Sequence, residues 1–226
     1  YDRVGSKKLA LSYDFSSAYH AMAVIGKSKL AQSENVELDV LTIGDLSFAF
    51  ASYEGAFEFA KDLGLDYTCK YQFVEVYHNG IYRGCYMLIT PIDIGEGRVD
   101  IDEEKDVIIH LSYSNGGEDA PYNSPIFGFS YIRLEEPSEY SPFTRAQMMR
   151  IMYQLDFAIL SGDIDEMAKF MDIDSMLAYF LFHEYLKDMD MIWDSTRFYI
   201  EDGKLHGGPA WDLDISQGNI RRDSNG

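Results

Sequence analysis

Four aspartates near the end of the sequence, Asp188, Asp190, Asp212 and Asp214, have the type and spacing to gather around a divalent cation. A helix predicted to end near Lys187 delivers the first two. A short hairpin, built from Arg197 to Ile200, a turn at Asp202-Gly203 and a strand from Leu205, delivers the second two. An acidic residue just past a helix C-terminus meets the negative end of the helix dipole. Carboxylates gathered by one hairpin also repel each other. A divalent cation relieves both costs, because Mg²⁺ takes carboxylate oxygens readily. Asp188 and Asp202 are read as turn and cap residues, which leaves Asp190, Asp212 and Asp214 to do chemistry. His183-Glu184 does not extend into a His-Glu-x-x-His zinc helix, so His183 is expected to be a polar helix residue near the loop. No Ser-His-Asp, Cys-His or Gly-rich phosphate-loop signature stands out.

The elements that must position these residues read as strands first and helices later. Leu9 to Tyr13 and Val36 to Ile43 are candidate strands. Phe57, Ala60 and Leu63 fall at helical spacing, with Gly64 as C-cap. Tyr71 to Tyr77 and Ile81 to Ile89 flank Asn79-Gly80, a strong hairpin signal. A two-residue turn there sets Cys85 opposite Val74. Gly84 inside the second strand suggests a bulge or a close backbone approach. Asp106 to Tyr113 and Gly128 to Leu134 are further strands, and Asn115 to Ser124 is a polar loop. Thr144 with Gln147 reads as a capping box for a helix whose Met148, Met152, Leu155 and Ile159 share one face and which Gly162 ends. That methionine stripe is read as core packing. A second helix covers Ser175 to Lys187, with Met176, Leu177, Phe180 and Leu181 facing inward. The class is α+β, β-rich first and α-rich second.

Composition narrows the function classes. Hydrophobic residues are 46% of the 226-residue chain, enough for a sizeable core. Asp and Glu total 38 against 19 Lys and Arg, a net charge of -19. Such a surface repels nucleic-acid backbones and anionic membranes, so no nucleic-acid partner is expected. It suits an exported protein, a cation site or a basic partner. Two cysteines, Cys69 and Cys85, exclude a disulfide-dense scaffold and are read as free thiols. No apolar run is long enough to span a membrane. A start at Tyr1 without a signal peptide is read as a mature or trimmed chain.

Four segments resemble the spore coat protein H (CotH) kinase family. Phe57-Glu-Phe-Ala-Lys-Asp-Leu-Gly-Leu65 is similar to the helix before the family's central hairpin, and Phe73 to Leu88 is similar to that hairpin with its Asn-Gly turn and Tyr-x-Gly-x-Tyr strand. Asp172 to Asp190 resembles the helix leading to the catalytic aspartate, and Gly208-Pro-Ala-Trp-Asp-Leu-Asp214 the closing Trp-Asp-x-Asp motif. The resemblance spans roughly residues 53 to 219, with several motifs in the same order.

The resemblance implies an atypical protein-kinase-like two-lobed fold. Residues 1–103 would form the β-rich first lobe and residues 104–226 the α-rich second, with ATP between them. It implies Mg²⁺-dependent transfer of the γ-phosphoryl of ATP to a Ser or Thr of a protein substrate, expected to be basic and Ser-rich. By position, Asp190 would orient the acceptor hydroxyl and accept its proton. Ser195 would lie on the metal side of the nucleotide. Asp212 would hold Mg²⁺ against the phosphates, with Asp214 beside it. Lys8 and Lys29 are the candidates for the phosphate-contacting base. An extracellular, spore-coat or cell-surface location is expected. The chain departs from the family pattern at Ala10 and Ser12, at Glu54-Gly55, at Thr90-Pro91 and at Ile109-His110-Leu111-Ser112. These departures concern nucleotide contacts and motivate the alternative of a catalytically weak pseudokinase that acts as an extracellular scaffold or binding module.

Overall fold

The computed structural model describes residues 7–11, 39–41, 55–78, 81–112, 122–124, 131–189, 191, 196–213 and 216. The chain divides into two compact units, Tyr1–Glu54 with Cys69–Ile92, and Gly55–Thr68 with Asp93–Gly226. The architecture mixes helices with largely antiparallel sheets, which bears out the α+β class.

The first unit carries a four-stranded sheet in the order β1-β3-β4-β2. Its strands are β1 (Lys7–Leu11), β2 (Asp39–Leu41), β3 (Tyr71–His78) and β4 (Ile81–Ile89). β1 runs parallel to β3, and the other pairings are antiparallel. The β3–β4 ladder starts as a two-residue connection predicts, with His78 opposite Ile81 and Tyr77 opposite Tyr82. The next pair is Val76 with Gly84, so Arg83 is the extra residue of a bulge. The bulge moves Cys85 opposite Glu75, one place from the Val74 partner that an unbroken ladder gives. Gly84 does mark the irregularity. Cys69 is buried and is not part of a disulfide. The side chain of Cys85 lies outside the described residues.

In the second unit, helix α1 runs through residues 55–62 and buries Ala56, Phe57 and Ala60 completely. Gly64 follows it at φ 76, the left-handed C-cap conformation the sequence predicts. Five antiparallel strands form a sheet in the order β6-β7-β5-β8-β9. They are β5 (Val107–Ser112), β6 (Tyr122–Asn123), β7 (Tyr131–Glu136), β8 (Arg197–Glu201) and β9 (Lys204–Gly207). Central β5 is buried on both faces: Val107, Ile108, Ile109 and Leu111 are at most 1% exposed.

Helix α2 (Pro142–Ser161) begins earlier than the Thr144 box suggests. Ser141 is the cap, its Oγ accepting from the Thr144 N–H at 3.0 Å, and Pro142 opens the first turn, where its missing N–H costs nothing. Met148, Met152 and Leu155 are core residues as expected, and Gly162 closes the helix. The end of the expected polar loop is not free. Tyr122 Oη and Ser124 Oγ donate to the buried Asp156 carboxylate of α2 at 2.5 and 2.7 Å. Helix α3 (Ile164–Met167) is one short turn capped by Asp163.

Helix α4 (Ile173–Leu186) is capped by Asp172, whose carboxylate accepts from the Ser175 N–H at 2.8 Å. Its inward face is not the expected one. Tyr179, Phe182, His183 and Leu186 are buried, at spacing i, i+3, i+4 and i+7, whereas Leu177, Phe180 and Leu181 are about half exposed. The helix packs on β9 where Gly207 meets Tyr179: a Cβ at residue 207 would overlap Tyr179 Cβ and Cγ. Among the described residues, no helix is long and apolar enough to cross a membrane.

Candidate functional site

Of the predicted site residues, Asp190, Ser195, Asp214 and Lys29 lie outside the described residues. Lys8 is in β1, its backbone opposite Glu75 of β3, and its side chain is not described. Asp212 is described, and the β8–β9 hairpin leads to it. Gly208 leaves the hairpin at φ 110, a conformation that side chains resist, and its N–H donates to the Arg197 carbonyl at 3.2 Å. α4 holds the same corner, because Ser175 Oγ accepts from the Gly207 N–H at 3.0 Å. Ala210 and Leu213 are then 1% and 0% exposed, so the segment is anchored on both sides of Trp211-Asp212.

Asp212 itself is half-buried and left-handed, at φ 54. Non-glycine residues rarely adopt that region, and Asp is among those that tolerate it. Among the described residues no hydrogen bond or ion pair engages its carboxylate, while its neighbours are fixed. The result is a hard oxygen donor on a constrained backbone. That donor chemistry fits a Mg²⁺ ligand. Among the described residues, no three His, Cys, Asp or Glu side chains gather as a metal site.

Trp211 carries a second set of contacts. The Arg197 guanidinium carbon sits 4.9 Å from the centre of the Trp211 ring system, in cation–π range. The same guanidinium donates to Glu135 of β7 through Nε at 2.9 Å and Nη2 at 2.8 Å. His110 of β5 brings Nδ1 to 3.4 Å from Glu135 Oε2. Burial alone would raise the Glu135 carboxyl, but His110 and the Arg197 guanidinium outweigh it and hold the group below its ordinary value.

The end of α4 holds a pair that the sequence reading missed. His183 is the helix residue near the loop that the sequence predicts, but it is 2% exposed, and its Nδ1 lies 2.7 Å from Asp188 Oδ2. Asp188 is therefore a buried partner as well as a turn residue. Asp202 keeps the turn role expected of it, at φ 48, with its carboxylate 2.8 Å from Lys105 Nζ. The available signal for the buried pair was a histidine in the last turn of a helix with an aspartate just beyond the cap.

Comparison with known proteins agrees with this arrangement of motifs. A family model described as CotH kinase protein matches residues 54–226. A search of the curated proteins finds no match. The matched segment covers most of the chain, and the chain belongs to the CotH kinase family.

Proposed function

We propose that this member of the CotH kinase family is a Mg²⁺-dependent protein kinase with an atypical two-lobed kinase-like fold. It moves the γ-phosphoryl of ATP to a Ser or Thr hydroxyl of a protein. The observation that carries the reading is Asp212, a half-buried, left-handed carboxylate with no protein partner among the described residues, inside the family's closing Trp-Asp-x-Asp motif. Asp212 and Asp214 would hold the cation, which when bound screens the negative charge of the phosphates. Ser195 is the candidate contact on the same side, and Lys8 and Lys29 are the candidates for the phosphate-binding base. Asp190 follows α4 in sequence and would orient the acceptor hydroxyl and take its proton as the oxygen bonds to phosphorus and ADP leaves. Phosphoryl transfer through a loose transition state needs positioning more than a strong base, so an ordinary carboxylate suffices.

The net charge of -19 supports a basic protein acceptor, which as a kinase substrate would be Ser-rich, and an extracellular or spore-surface setting is proposed with it. Calorimetric titration of ATP with and without Mg²⁺ tests the binding step, and radiolabel transfer to a basic Ser-rich acceptor tests the chemistry. Asp190→Ala should abolish label transfer without changing the circular dichroism. A wild type that neither binds ATP nor labels itself or any acceptor leaves the second reading, a pseudokinase acting as an extracellular scaffold or binding module. That reading is favoured by His110 in β5, where the family pattern has an acidic residue, and by Ala10 in β1 in place of a base.

A further inference from the structure

The geometry points to Arg197 and Glu135 as a positioning pair that fixes Trp211 and thereby aims the Asp212 carboxylate. The inference rests on the reading of Asp212 as a cation ligand. It starts from sheet register. β5 lies between β7 and β8, and His110 is opposite Arg133 on one side and Arg197 on the other. Directly opposed residues share a face of the sheet, and Glu135, the extra residue of a bulge between the Ile108–Glu136 and Ile109–Leu134 pairs, reaches over the same face, its Oε2 3.4 Å from His110 Nδ1. Arg197 and Glu135 therefore meet over the central strand, above His110. The contact joins residues 62 apart in sequence.

Only a guanidinium makes this arrangement. Its planar edge grips both oxygens of Glu135, at 2.8 and 2.9 Å, while its face lies against Trp211. A lysine offers the charge without the fork or the flat face. Arg197 and Glu135 are 13% and 23% exposed, so water competes weakly for the pair. Trp211 is covalently next to Asp212, whose φ of 54 is a conformation an ordinary side chain resists. Leu213 anchors the segment from the other side, its carbonyl accepting from Ser216 Oγ at 2.7 Å. With Trp211 held by Arg197 and Leu213 buried, the peptide planes flanking Asp212 have little freedom, and its Cα–Cβ bond leaves the backbone in one direction.

The test uses a Trp193→Phe background, which leaves Trp211 as the one tryptophan, and reads three quantities: acrylamide quenching of Trp211, Mn²⁺ binding by calorimetry without nucleotide, and melting temperature. Arg197→Lys and Arg197→Met should raise quenching and weaken Mn²⁺ binding by about tenfold or more, the usual scale for losing a group that orients a metal ligand. Glu135→Gln should give an intermediate loss. Asp212→Asn should remove Mn²⁺ binding and leave quenching unchanged. A merely structural role would lower the melting temperature of the Arg197 variants without a selective loss of Mn²⁺ affinity, and that result overturns the inference. So does unchanged quenching in Arg197→Met, or raised quenching with unchanged Mn²⁺ affinity. A parent protein that takes up no Mn²⁺ defeats the metal reading itself, and the aiming role with it. That outcome is distinct from one in which Mn²⁺ binds, needs Asp212 and ignores Arg197.

Discussion

His183 Nδ1 lies 2.7 Å from Asp188 Oδ2, and the two side chains are 1% and 3% exposed. The backbone closes the same loop, since the Asp188 N–H donates to the His183 carbonyl at 3.1 Å across Lys187, which is left-handed at φ 51. The other ring nitrogen, Nε2, is buried and has no hydrogen-bond partner among the described residues. Around the imidazole, the Tyr179 and Phe182 rings meet it edge-to-face at 4.4 and 5.1 Å. Asp188 thus anchors this ring through Nδ1. Asp188→Ala should cost about 1 to 3 kcal/mol, because it leaves a buried imidazole nitrogen without its partner. Asp188→Asn, which can still accept through its amide oxygen, should cost less. Urea midpoints of the two variants measure the difference, and equal midpoints would show that the pair contributes little.

Gly207 has no room for a side chain. A Cβ there would overlap Tyr179 Cβ and Cγ, and Tyr179 is 2% exposed, so it has little space to retreat. Overpacking of this kind typically costs about 1 to 3 kcal/mol. Gly207→Ala should lower the melting temperature accordingly, and adding Tyr179→Leu should recover part of the loss. A Gly207→Ala protein as stable as the parent would mean that α4 slides freely on β9.

Local signals carried most of the elements. The Asn79-Gly80 turn between alternating runs marked β3 and β4, and the Leu63-Gly64 and Gly162 stops marked helix ends. Register was less legible. A bulge adds a residue without changing the residue types around it, so only Gly84 hinted at the shift of Cys85. The face of α4 was misread because the helix is apolar nearly all round: Met176, Leu177, Phe180 and Leu181 obey the same period as Tyr179, Phe182 and Leu186. Periodicity cannot choose between two apolar stripes, and the winning one carries a histidine whose burial becomes affordable only through Asp188. The Asp212 motif was visible as a string of residues. Its left-handed backbone and the grip of Glu135, far away in sequence on another strand, are tertiary facts with no local trace.

The acid limb of stability should depend on Glu135. Its folded-state pKa lies below the ordinary 4.5 because His110 and Arg197 favour the carboxylate despite burial. The sign follows from linkage: a depressed carboxyl contributes stability that is fully present above the unfolded value and is lost as pH falls through the folded one. From neutral pH downward, the stability that Glu135 contributes should hold until about pH 4.5 and then be lost. Glu135→Gln should be less stable at pH 7, and the gap between the two proteins should narrow below that window. Chemical denaturation at a series of pH values gives both curves. Parallel curves would show that the ion pair contributes nothing to folding.

The cation reading makes the sharpest thermal prediction. A ligand that binds the native state and not the unfolded chain stabilises by mass action, by about 2.7 kcal/mol at a hundred times its dissociation constant. Millimolar Mg²⁺ or Mn²⁺ should therefore raise the melting temperature without any nucleotide, measured against a sample stripped with chelator. Asp212→Asn is the decisive control. Asparagine has nearly the same shape and tolerates the left-handed backbone at φ 54, so the fold should survive. The substitution removes the charge, and no hydrogen bond or ion pair is lost with it among the described residues, so stability without metal should change by under about 0.5 kcal/mol. The metal-induced shift should vanish all the same. If the shift persists in Asp212→Asn, the cation is held elsewhere. If the parent shows no shift at all, Asp212 is not a metal ligand in the nucleotide-free protein.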